Sequence, residues 1–357
     1  MRLLKQKILI VLLGVYALVF GELFLRALAP QALMPRYVTG TEWGIRGNVP
    51  NAVYRQKTAE VDVEVRINAQ GLRADRSYSM AKPVGTCRLA FLGDSYFLGY
   101  EVAREDGLVA LVETGLKQAG YRVEALNFAV SGFGTAEMLI LLNRDVARYE
   151  PDLVVFQWHA SDFDDNLRAD LFRLQGDALV PGQAVYLPGV GLRDTLSQFA
   201  AYRWLIANSH LYTAVREKAG RFSKDLLAKF RGGGVVSVEA TAVETHRRSL
   251  AAALLAEGLA RAEAIGAAWR VFEIPVFGTR TRITGFFENL PLTRAVRTRA
   301  TSAAGVLNAA ADVGTKLYFE RGHRHLTELG NRLAAGRLVA DILIGNAARL
   351  ARCRRAA

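Results

Sequence analysis

The stretch Arg88-Leu-Ala-Phe-Leu92-Gly93-Asp94-Ser95 decides how this sequence folds. Its apolar part has the length of a buried strand, and the glycine ends the strand directly in front of two polar side chains. Two further apolar runs, Val123–Val130 and Asp152–Trp158, have the same length and are also followed by polar residues. Segments with helical spacing of apolar residues separate the three runs, so the sequence predicts strands that alternate with helices.

The alternation continues to the end of the chain. Besides the three runs above, strands are predicted at Ala268–Val276 and Lys316–Phe319. Helices are predicted at Glu105–Ala119, Ala136–Tyr149, Thr241–Ile265 and Leu326–Ile344. Strands that alternate with helices of this length indicate a parallel sheet covered on both faces, because a crossover helix must lie over the sheet. The expected fold class is α/β, a flavodoxin-like three-layer α/β/α sandwich.

Four parts of the chain are predicted. Residues 1–30 form a cytoplasmic N-terminus and membrane anchor, and residues 31–86 a lead-in with a half-exposed strand at Val61–Ile67. Residues 87–345 form the α/β domain, and residues 346–357 are a basic tail. The domain carries a mainly helical insertion at about 167–265, because strands three and four are too far apart for an ordinary crossover. A helix is predicted at Thr195–Phe230 and a hinge at Gly232–Gly234; the insertion either shapes a substrate cleft or decorates the surface.

The N-terminal segment predicts a transmembrane anchor. Basic residues precede the apolar run 8–25, which is about 27 Å long as a helix, close to the thickness of a bilayer core. Glu22 interrupts the run near its far end, where Arg26 lies one helical turn away. The competing interpretation is a cleaved signal peptide, but Pro30 would then be the first mature residue. The basic N-terminus predicts a single-pass protein of the bacterial cytoplasmic (inner) membrane, with its domain facing the periplasm or the outside.

Composition excludes several classes of protein. With 51% hydrophobic and 22% charged residues the chain can bury a core and is not a disordered protein. The net charge of +12 is spread along the sequence, which favours a solvated surface over a nucleic-acid partner. Two cysteines, Cys87 and Cys353, exclude a disulfide scaffold and any CxxC motif, and leave their mutual pairing open.

Polar clusters follow the first three strands, and another precedes the last helix. They are Gly93-Asp94-Ser95, Asn127 to Gly134, His159 to Asn166, and His323-Arg-His325-Leu-Thr-Glu-Leu-Gly-Asn331. In open parallel sheets ligands bind beyond the carboxyl ends of the strands, so these clusters should meet there. A serine hydroxyl is a weak nucleophile until a positioned base removes its proton, and histidine suits that task near neutral pH.

Three of these clusters, Gly93-Asp94-Ser95, Asn127 to Gly132 and His325 to Asn331, together resemble the SGNH (GDSL-like) hydrolases, particularly the bacterial membrane-anchored members. The resemblance covers about residues 67–340. The resemblance implies the SGNH hydrolase fold, with Ser95 as nucleophile and His325 as general base. It also implies an oxyanion hole made of the Ser95 N–H, the Gly132 N–H and an asparagine side chain. The implied substrate is an ester, for instance an O-acetyl group on envelope or exported carbohydrate, and no metal or organic cofactor is implied.

The chain departs from the family pattern at two positions. Ser161 stands where the oxyanion asparagine is expected, and could donate one hydrogen bond over a shorter reach. The family's aspartate before the histidine is replaced by Gly322 and His323, so that Glu320 is the nearest upstream acid and the orienting carboxylate is unidentified. Further candidates near the site are Asp94, Asp162 and Asn166. Asp162 and the acids after it could hold a cation, but a solvated turn and helix cap is favoured.

The sequence therefore predicts a membrane-anchored serine esterase that acts through an acyl-Ser95 intermediate. One alternative is an O-acetyltransferase that uses the same serine and histidine. A second is a catalytically impaired SGNH-like protein that acts as a binding or scaffold component of polysaccharide assembly. Protein partners are not predicted.

Overall fold

A computed structural model of the chain describes residues 2–33, 35, 38–219, 240–276, 285, 287–321 and 323–355. The strands are β1 (Val38–Gly40), β2 (Arg46–Asn48), β3 (Val53–Lys57), β4 (Asp62–Arg66), β5 (Cys87–Leu92), β6 (Val123–Asn127), β7 (Leu153–Trp158), β8 (Phe172–Gln175), β9 (Ala178–Pro181), β10 (Ala268–Glu273) and β11 (Ala300–Ser302). The α-helices are α1 (Arg2–Leu28), α2 (Ser95–Leu98), α3 (Leu108–Gln118), α4 (Thr135–Arg144), α5 (Ser161–Ala169), α6 (Val190–Leu196), α7 (Ala200–Asn208), α8 (described for 210–219), α9 (Ala240–Ala264), α10 (Arg294–Arg297), α11 (Ala304–Ala311), α12 (Glu328–Gly345) and α13 (Ala347–Ala351).

The centre of the fold is a five-stranded sheet in the order β11-β10-β7-β5-β6, with every neighbouring pair parallel. Every residue of β5 and β7 is buried, and all of them except Arg88 and Gln157 are apolar, as is typical of central parallel strands. Alternate residues of β5 belong to two separate cores: Ala90 and Leu92 pack with α4 and α9, whereas Leu89 and Phe91 pack with α3 and α12. Helices therefore cover both faces, and the predicted three-layer α/β/α fold is confirmed.

The edge strand lies elsewhere than predicted. The expected strand at Lys316–Phe319 is wrong, because β11 takes that edge of the sheet beside β10. Residues 317–319 pair instead with the segment just after them: Phe319 N–H donates to His325 O (2.9 Å) and Thr327 N–H to Leu317 O (2.9 Å). That local pairing closes the loop that carries His325.

The lead-in and the insertion contain hairpins that the sequence analysis did not predict. In the lead-in, β1 pairs with β2, and the predicted strand at 61–67 appears as β4 paired with β3. The insertion holds the antiparallel pair β8–β9 as well as helices α6, α7 and α8. The predicted helix over 195–230 is divided into shorter helices up to residue 219, and the glycine hinge at 232–234 lies outside the described residues.

The basic tail packs against the first sheet strand. A disulfide joins Cys87, the first residue of β5, to Cys353, with Cα atoms 5.6 Å apart. Leu350 of α13 is buried, and Arg122 N–H donates to Cys353 O at 2.7 Å. The two cysteines are 266 positions apart, so this crosslink ties the end of the chain to the start of the domain.

Helix α1 is long and apolar enough to cross a membrane, by length and composition, and none of its apolar window is buried in the protein. Its one acid, Glu22, is bound by Arg26 at 3.1 Å, as the one-turn spacing predicts. Glu22 also accepts hydrogen bonds from Ser209 Oγ (2.8 Å), His210 N–H (3.0 Å) and Leu211 N–H (2.9 Å). Glu22 therefore caps the N-terminus of α8 and holds the insertion against the end of α1.

Candidate active site

Ser95 begins helix α2 directly after the strand β5. Asp94 forms the N-cap: its Oδ1 accepts Tyr96 N–H at 2.8 Å and the Gln157 amide at 2.6 Å. Gly93 is required here, because a Cβ at that position would lie 2.5 Å from Gln157 Oε1. The buried Gln157 in turn accepts Asp94 N–H at 3.1 Å. The acid at position 94 thus fixes the turn that presents Ser95. Within the described residues its carboxylate makes no hydrogen bond or ion pair with His325.

His325 reaches Ser95 from the loop before α12. Its Nε2 lies 2.7 Å from Ser95 Oγ, and its Nδ1 lies 3.1 Å from an oxygen of Glu101. The histidine is 7% exposed and the glutamate fully buried. Serine, histidine and carboxylate therefore form one continuous hydrogen-bonded chain, which is the arrangement that lets an imidazole take a proton from a hydroxyl.

Glu101, which the sequence analysis did not single out, occupies the position of an orienting carboxylate beside His325. Besides the imidazole it accepts His323 N–H at 3.0 Å and His325 N–H at 3.3 Å, and its own N–H donates to Gln56 Oε1 at 3.0 Å. Burial raises the pKa of Glu101, but the hydrogen bonds and charge of His325 and the two backbone N–H groups bring the pKa below its usual value. Its φ of +66° is unusual for a residue other than glycine.

The two positions considered upstream of the histidine do not supply this carboxylate. Glu320, the nearest upstream acid in the sequence, is exposed, and the carboxylate at His325 Nδ1 is that of Glu101 instead. His323 is exposed and contributes its backbone N–H to Glu101, while its ring centre lies 6.3 Å from that of His325. The loop before α12 therefore docks onto Glu101 through its backbone.

The loop after β6 brings Gly132 to the site in a left-handed conformation, with φ +78°. Arg46 of β2 holds this loop: its guanidinium donates to Gly132 O at 2.5 Å and to Ser131 O at 3.4 Å. Arg46 is itself fixed by the fully buried Glu137 at 2.8 Å, and a Cβ at position 132 would lie 3.0 Å from the guanidinium. Among the described residues no acceptor binds the backbone N–H of Ser95 or of Gly132. Both donors are available to a bound ligand.

Asn127 connects the loop after β6 to helix α2, which begins with Ser95. Its amide donates to Phe97 O of helix α2 at 2.7 Å, and its side-chain oxygen accepts Ala129 N–H at 3.1 Å. Asn127 is buried, so these two bonds fix the loop after β6 relative to the helix that carries the serine.

In the polar cluster after β7, Ser161 contacts His159 rather than Ser95 or His325. The hydroxyl of Ser161 lies 2.9 Å from His159 Nδ1, and the N–H of Ser161 donates to the same nitrogen at 3.2 Å. Because an N–H can only donate, His159 Nδ1 is an acceptor and the proton of the neutral ring is on Nε2. Burial lowers the pKa of His159, which keeps the ring neutral. Tyr96 packs between this ring and that of His325, at centroid distances of 5.0 and 4.9 Å.

Asp162 and Asn166 hold the ends of helices. Asp162 is buried and accepts His159 N–H at 3.0 Å, and burial raises the pKa of its carboxyl well above the usual value. The side-chain oxygen of Asn166 accepts Ala136 N–H of α4 at 2.9 Å. No group of three metal-ligating side chains is found within the described residues.

The serine and histidine open into a small cavity of about 90 Å³. Its lining comes from five separate parts of the chain: Ala32, Ser95, Tyr100, Ser131, Arg216, Glu217, His323 and His325. Ala32 follows the anchor helix, and Arg216 and Glu217 lie on α8. The insertion therefore forms part of the wall of this cavity, which answers the question that the sequence left open between a cleft and decoration.

No family profile and no curated protein matches this sequence. Solved structures with a similar fold include the lipase Lip_vut3 from a goat rumen metagenome, at 14% identity and TM-score 0.40, covering 71% of this chain and 97% of the lipase. A two-domain esterase, CEX, active on acetylated mannans, has 12% identity and TM-score 0.38, over 72% of this chain and 49% of the esterase. A variant of Axe2, an acetyl xylan esterase from Geobacillus stearothermophilus, has 15% identity and TM-score 0.33, over 72% and 96%. Similar structures also include lipolytic proteins of the G-D-S-L family from Desulfitobacterium hafniense and Veillonella parvula, each at 13% identity.

Proposed function

We propose that this protein is a membrane-anchored serine ester hydrolase that works through an acyl-Ser95 intermediate. One observation carries the proposal: Ser95 Oγ, His325 and the buried Glu101 lie in one hydrogen-bonded chain, with distances of 2.7 and 3.1 Å. Two departures favour a non-catalytic SGNH-like protein, namely Ser161 at the asparagine position and the missing acid before His325. The carboxylate of Glu101 argues against the second of them.

The proposed mechanism follows from the geometry. His325 Nε2 accepts the hydroxyl proton as Ser95 attacks the ester carbonyl, and the carboxylate of Glu101 stabilises the imidazolium that forms. The N–H groups of Ser95 and Gly132 bind the oxyanion of the tetrahedral intermediate. His325 then gives the proton to the leaving alcohol, which departs and leaves the acyl-enzyme. Water attacks the acyl group by the same route, with His325 again as base, and free Ser95 and the acid are released.

The third oxyanion donor is assigned to the pair Ser161 and His159. The hydroxyl of Ser161 donates to His159 Nδ1, so the residue at the family's asparagine position acts through its neighbour rather than directly. We propose that the Nε2–H of His159 donates to the oxyanion in the substrate complex, and that Ser161 is a positioning residue that sets the tautomer of this ring. His159→Phe should lower kcat by about 10²–10³, the usual effect of one oxyanion donor, with a small change of KM. An unchanged kcat would contradict the assignment.

The proposed substrate is an ester with a short acyl group, such as an O-acetyl group of envelope or exported carbohydrate. The cavity at Ser95 is about 90 Å³, well below the roughly 300–1,000 Å³ of pockets that enclose drug-sized ligands. Its wall includes Arg216, Glu217 and His323, polar side chains suited to a hydroxylated alcohol part. With matched p-nitrophenyl esters, kcat/KM should fall steeply from acetate to octanoate; equal values would contradict a short acyl group.

The domain is proposed to lie outside the cytoplasm of a bacterium, at the inner membrane. The disulfide between Cys87 and Cys353 favours an oxidising compartment, because cytosolic thiols are kept reduced. The bonds from α8 to Glu22 favour an uncleaved α1, since removing that helix would leave the N-terminus of α8 without its cap. A reporter fused to the C-terminus should be active only outside the cytoplasm, and a soluble mature product beginning near residue 30 would overturn the anchor.

The central experiment is active-site labelling with a fluorophosphonate. The wild-type chain should be labelled at Ser95, and Ser95→Ala and His325→Ala should each abolish labelling and hydrolysis of p-nitrophenyl acetate. The double variant should be no worse than either single variant, because the two residues act as one unit. Ser77→Ala, at an exposed serine, is the matched control and should be labelled normally. Hydrolysis that persists in folded Ser95→Ala would refute the proposed function.

A further inference from the structure

An apolar groove lies between the anchor helix and the insertion. Its volume is about 540 Å³, about six times that of the cavity at Ser95. One wall is the last part of α1 and the other is formed by α7 and α8. The apolar side chains that line it are Leu18, Val19, Leu23, Leu205, Leu211 and Val215.

The groove would open into the bilayer. Its α1 wall belongs to the apolar run 8–25, close to the outer end of the proposed span. Side chains on the opposite wall are apolar and exposed to an extent that is unusual outside a membrane or interface: Trp204 is 61% exposed and Val215 58%. Tryptophan at this depth is typical of the interface between hydrocarbon and head groups.

The polar groups of the groove are already occupied. Glu22 accepts three hydrogen bonds from the N-terminus of α8 and one from Arg26, and Ser209 Oγ donates to Glu22 and accepts Tyr212 N–H at 3.0 Å. A ligand in this groove would therefore meet apolar side chains and capped polar groups. Hydrocarbon satisfies such a surface, whereas a peptide or sugar would leave its own polar groups unpaired.

The same helix separates the groove from the catalytic cavity. Residues Leu211 and Val215 of α8 line the groove, and Arg216 and Glu217 line the cavity that contains Ser95. The two spaces are thus on opposite sides of one helix, about 10 Å thick. A molecule with a hydrocarbon chain and an extended head group could occupy both.

We propose that the groove binds the hydrocarbon chain of an ester substrate carried in the membrane, so that its head group passes around α8 into the catalytic cavity. The short acyl group enters at Ser95, and the lipid-borne part is the alcohol that leaves. This inference rests on the proposed function and names how the substrate is presented: the protein takes its ester from the bilayer rather than from solution.

The test compares a membrane-borne ester with a soluble one. The full-length protein is reconstituted in vesicles of phosphatidylcholine and phosphatidylglycerol. The rates are measured for p-nitrophenyl acetate in water and, in the bilayer, for hexadecyl tetra(ethylene glycol) acetate, a hexadecyl acetate analogue with a polar spacer between chain and ester. Val215→Trp fills the groove and should lower the ratio of the two rates at least tenfold. Val313→Trp, a matched change at a residue that is 79% exposed and lines neither space, should leave the ratio unchanged.

A second measurement separates this inference from the proposed function. A hexadecyl acetate analogue with a photoreactive chain should crosslink to residues 204–215 of the insertion in the wild type and much less in Val215→Trp. Equal ratios in the two variants, or crosslinks confined to α1, would overturn the groove while hydrolysis of p-nitrophenyl acetate still upheld the esterase. Loss of all hydrolysis with crosslinking retained would refute the proposed reaction but keep the lipid site.

Discussion

Replacing Glu101 by glutamine tests whether this carboxylate is needed in the hydrogen-bonded chain Ser95–His325–Glu101. The variant keeps the shape of the side chain but removes its charge 3.1 Å from the imidazole. Two unit charges about 4 Å apart interact by about 4 kcal/mol at an effective dielectric constant of 20. Since each 1.36 kcal/mol is a factor of ten, loss of this stabilisation predicts a fall of about 10³ in kcat.

The hydrogen bonds of Glu101 sharpen the expectation. Its two oxygens accept three N–H groups, from the His325 ring and from the backbone of His323 and His325. A glutamine has one oxygen and one NH₂ group, so its NH₂ must face at least one of these three N–H groups. If the NH₂ faces the imidazole, the ring nitrogen Nδ1 has to accept, and the proton of the ring moves to Nε2. In that tautomer the ring no longer accepts the proton of Ser95, and the loss extends toward 10⁴.

The assay is kcat and KM on p-nitrophenyl acetate, together with the rate of fluorophosphonate labelling. KM should change little, because Glu101 does not contact the substrate, and circular dichroism checks the fold. Glu320→Gln is the matched control: the same chemical change at the exposed acid nearest to His325 in sequence should alter kcat by less than about twofold. If folded Glu101→Gln kept wild-type activity, or Glu320→Gln lost as much, the orienting role would be refuted.

Three further outcomes are expected. Arg46→Lys should lower kcat about tenfold, because an ammonium cannot bridge the carbonyls of Ser131 and Gly132 and the buried carboxylate of Glu137 together. The control Arg55→Lys, at an exposed arginine, should leave kcat unchanged, and equal kcat values for the two variants would contradict this role of Arg46. Cys87→Ala with Cys353→Ala should destabilise the domain by up to about 5 kcal/mol, measured by urea unfolding, and a stability equal to the wild type would show that the crosslink contributes nothing. Asp162→Asn should raise Tm more at pH 8 than at pH 5. Because burial raises the pKa of Asp162 in the folded protein, the wild type loses stability as the pH rises through the folded pKa, and the neutral asparagine does not. An equal change of Tm at both pH values would exclude the titration of Asp162 as the cause.

Much of the fold could be predicted because buried strands leave a local pattern of apolar residues in the sequence. The strands β5 and β7 are buried on both faces, so each contains a run of four apolar residues, 89–92 and 153–156, that is easily recognised. The edge strand β11 has only three residues and one fully buried side chain, too little for any periodicity. The run at 316–319 has a better strand pattern but pairs with its own loop, because the chain there has to return toward Ser95 with His325.

The site was predictable only where its residues follow strand ends. Ser95, Gly132 and His325 stand in short blocks that can be recognised in isolation. Glu101 and Arg46 act through partners 224 and 86 positions away, and neither has a local pattern that distinguishes it from other charged residues. The usable signal for Glu101 was weak: an acid between Tyr100 and Val102, in a segment that buries its neighbours.

The position of the acid has a structural consequence for the loop that carries the base. Glu101 lies six residues after Ser95, so nucleophile and carboxylate belong to one segment, which Gln56 and Asn127 hold from two sides. His325 then needs only to dock between two groups whose spacing is already fixed, and its loop does so through three hydrogen bonds to the same carboxylate. An acid two or three residues before the histidine would instead move with that loop. The orienting charge that we propose at Glu101 belongs instead to the segment that carries Ser95, and the hydrogen-bonded chain Ser95–His325–Glu101 is continuous.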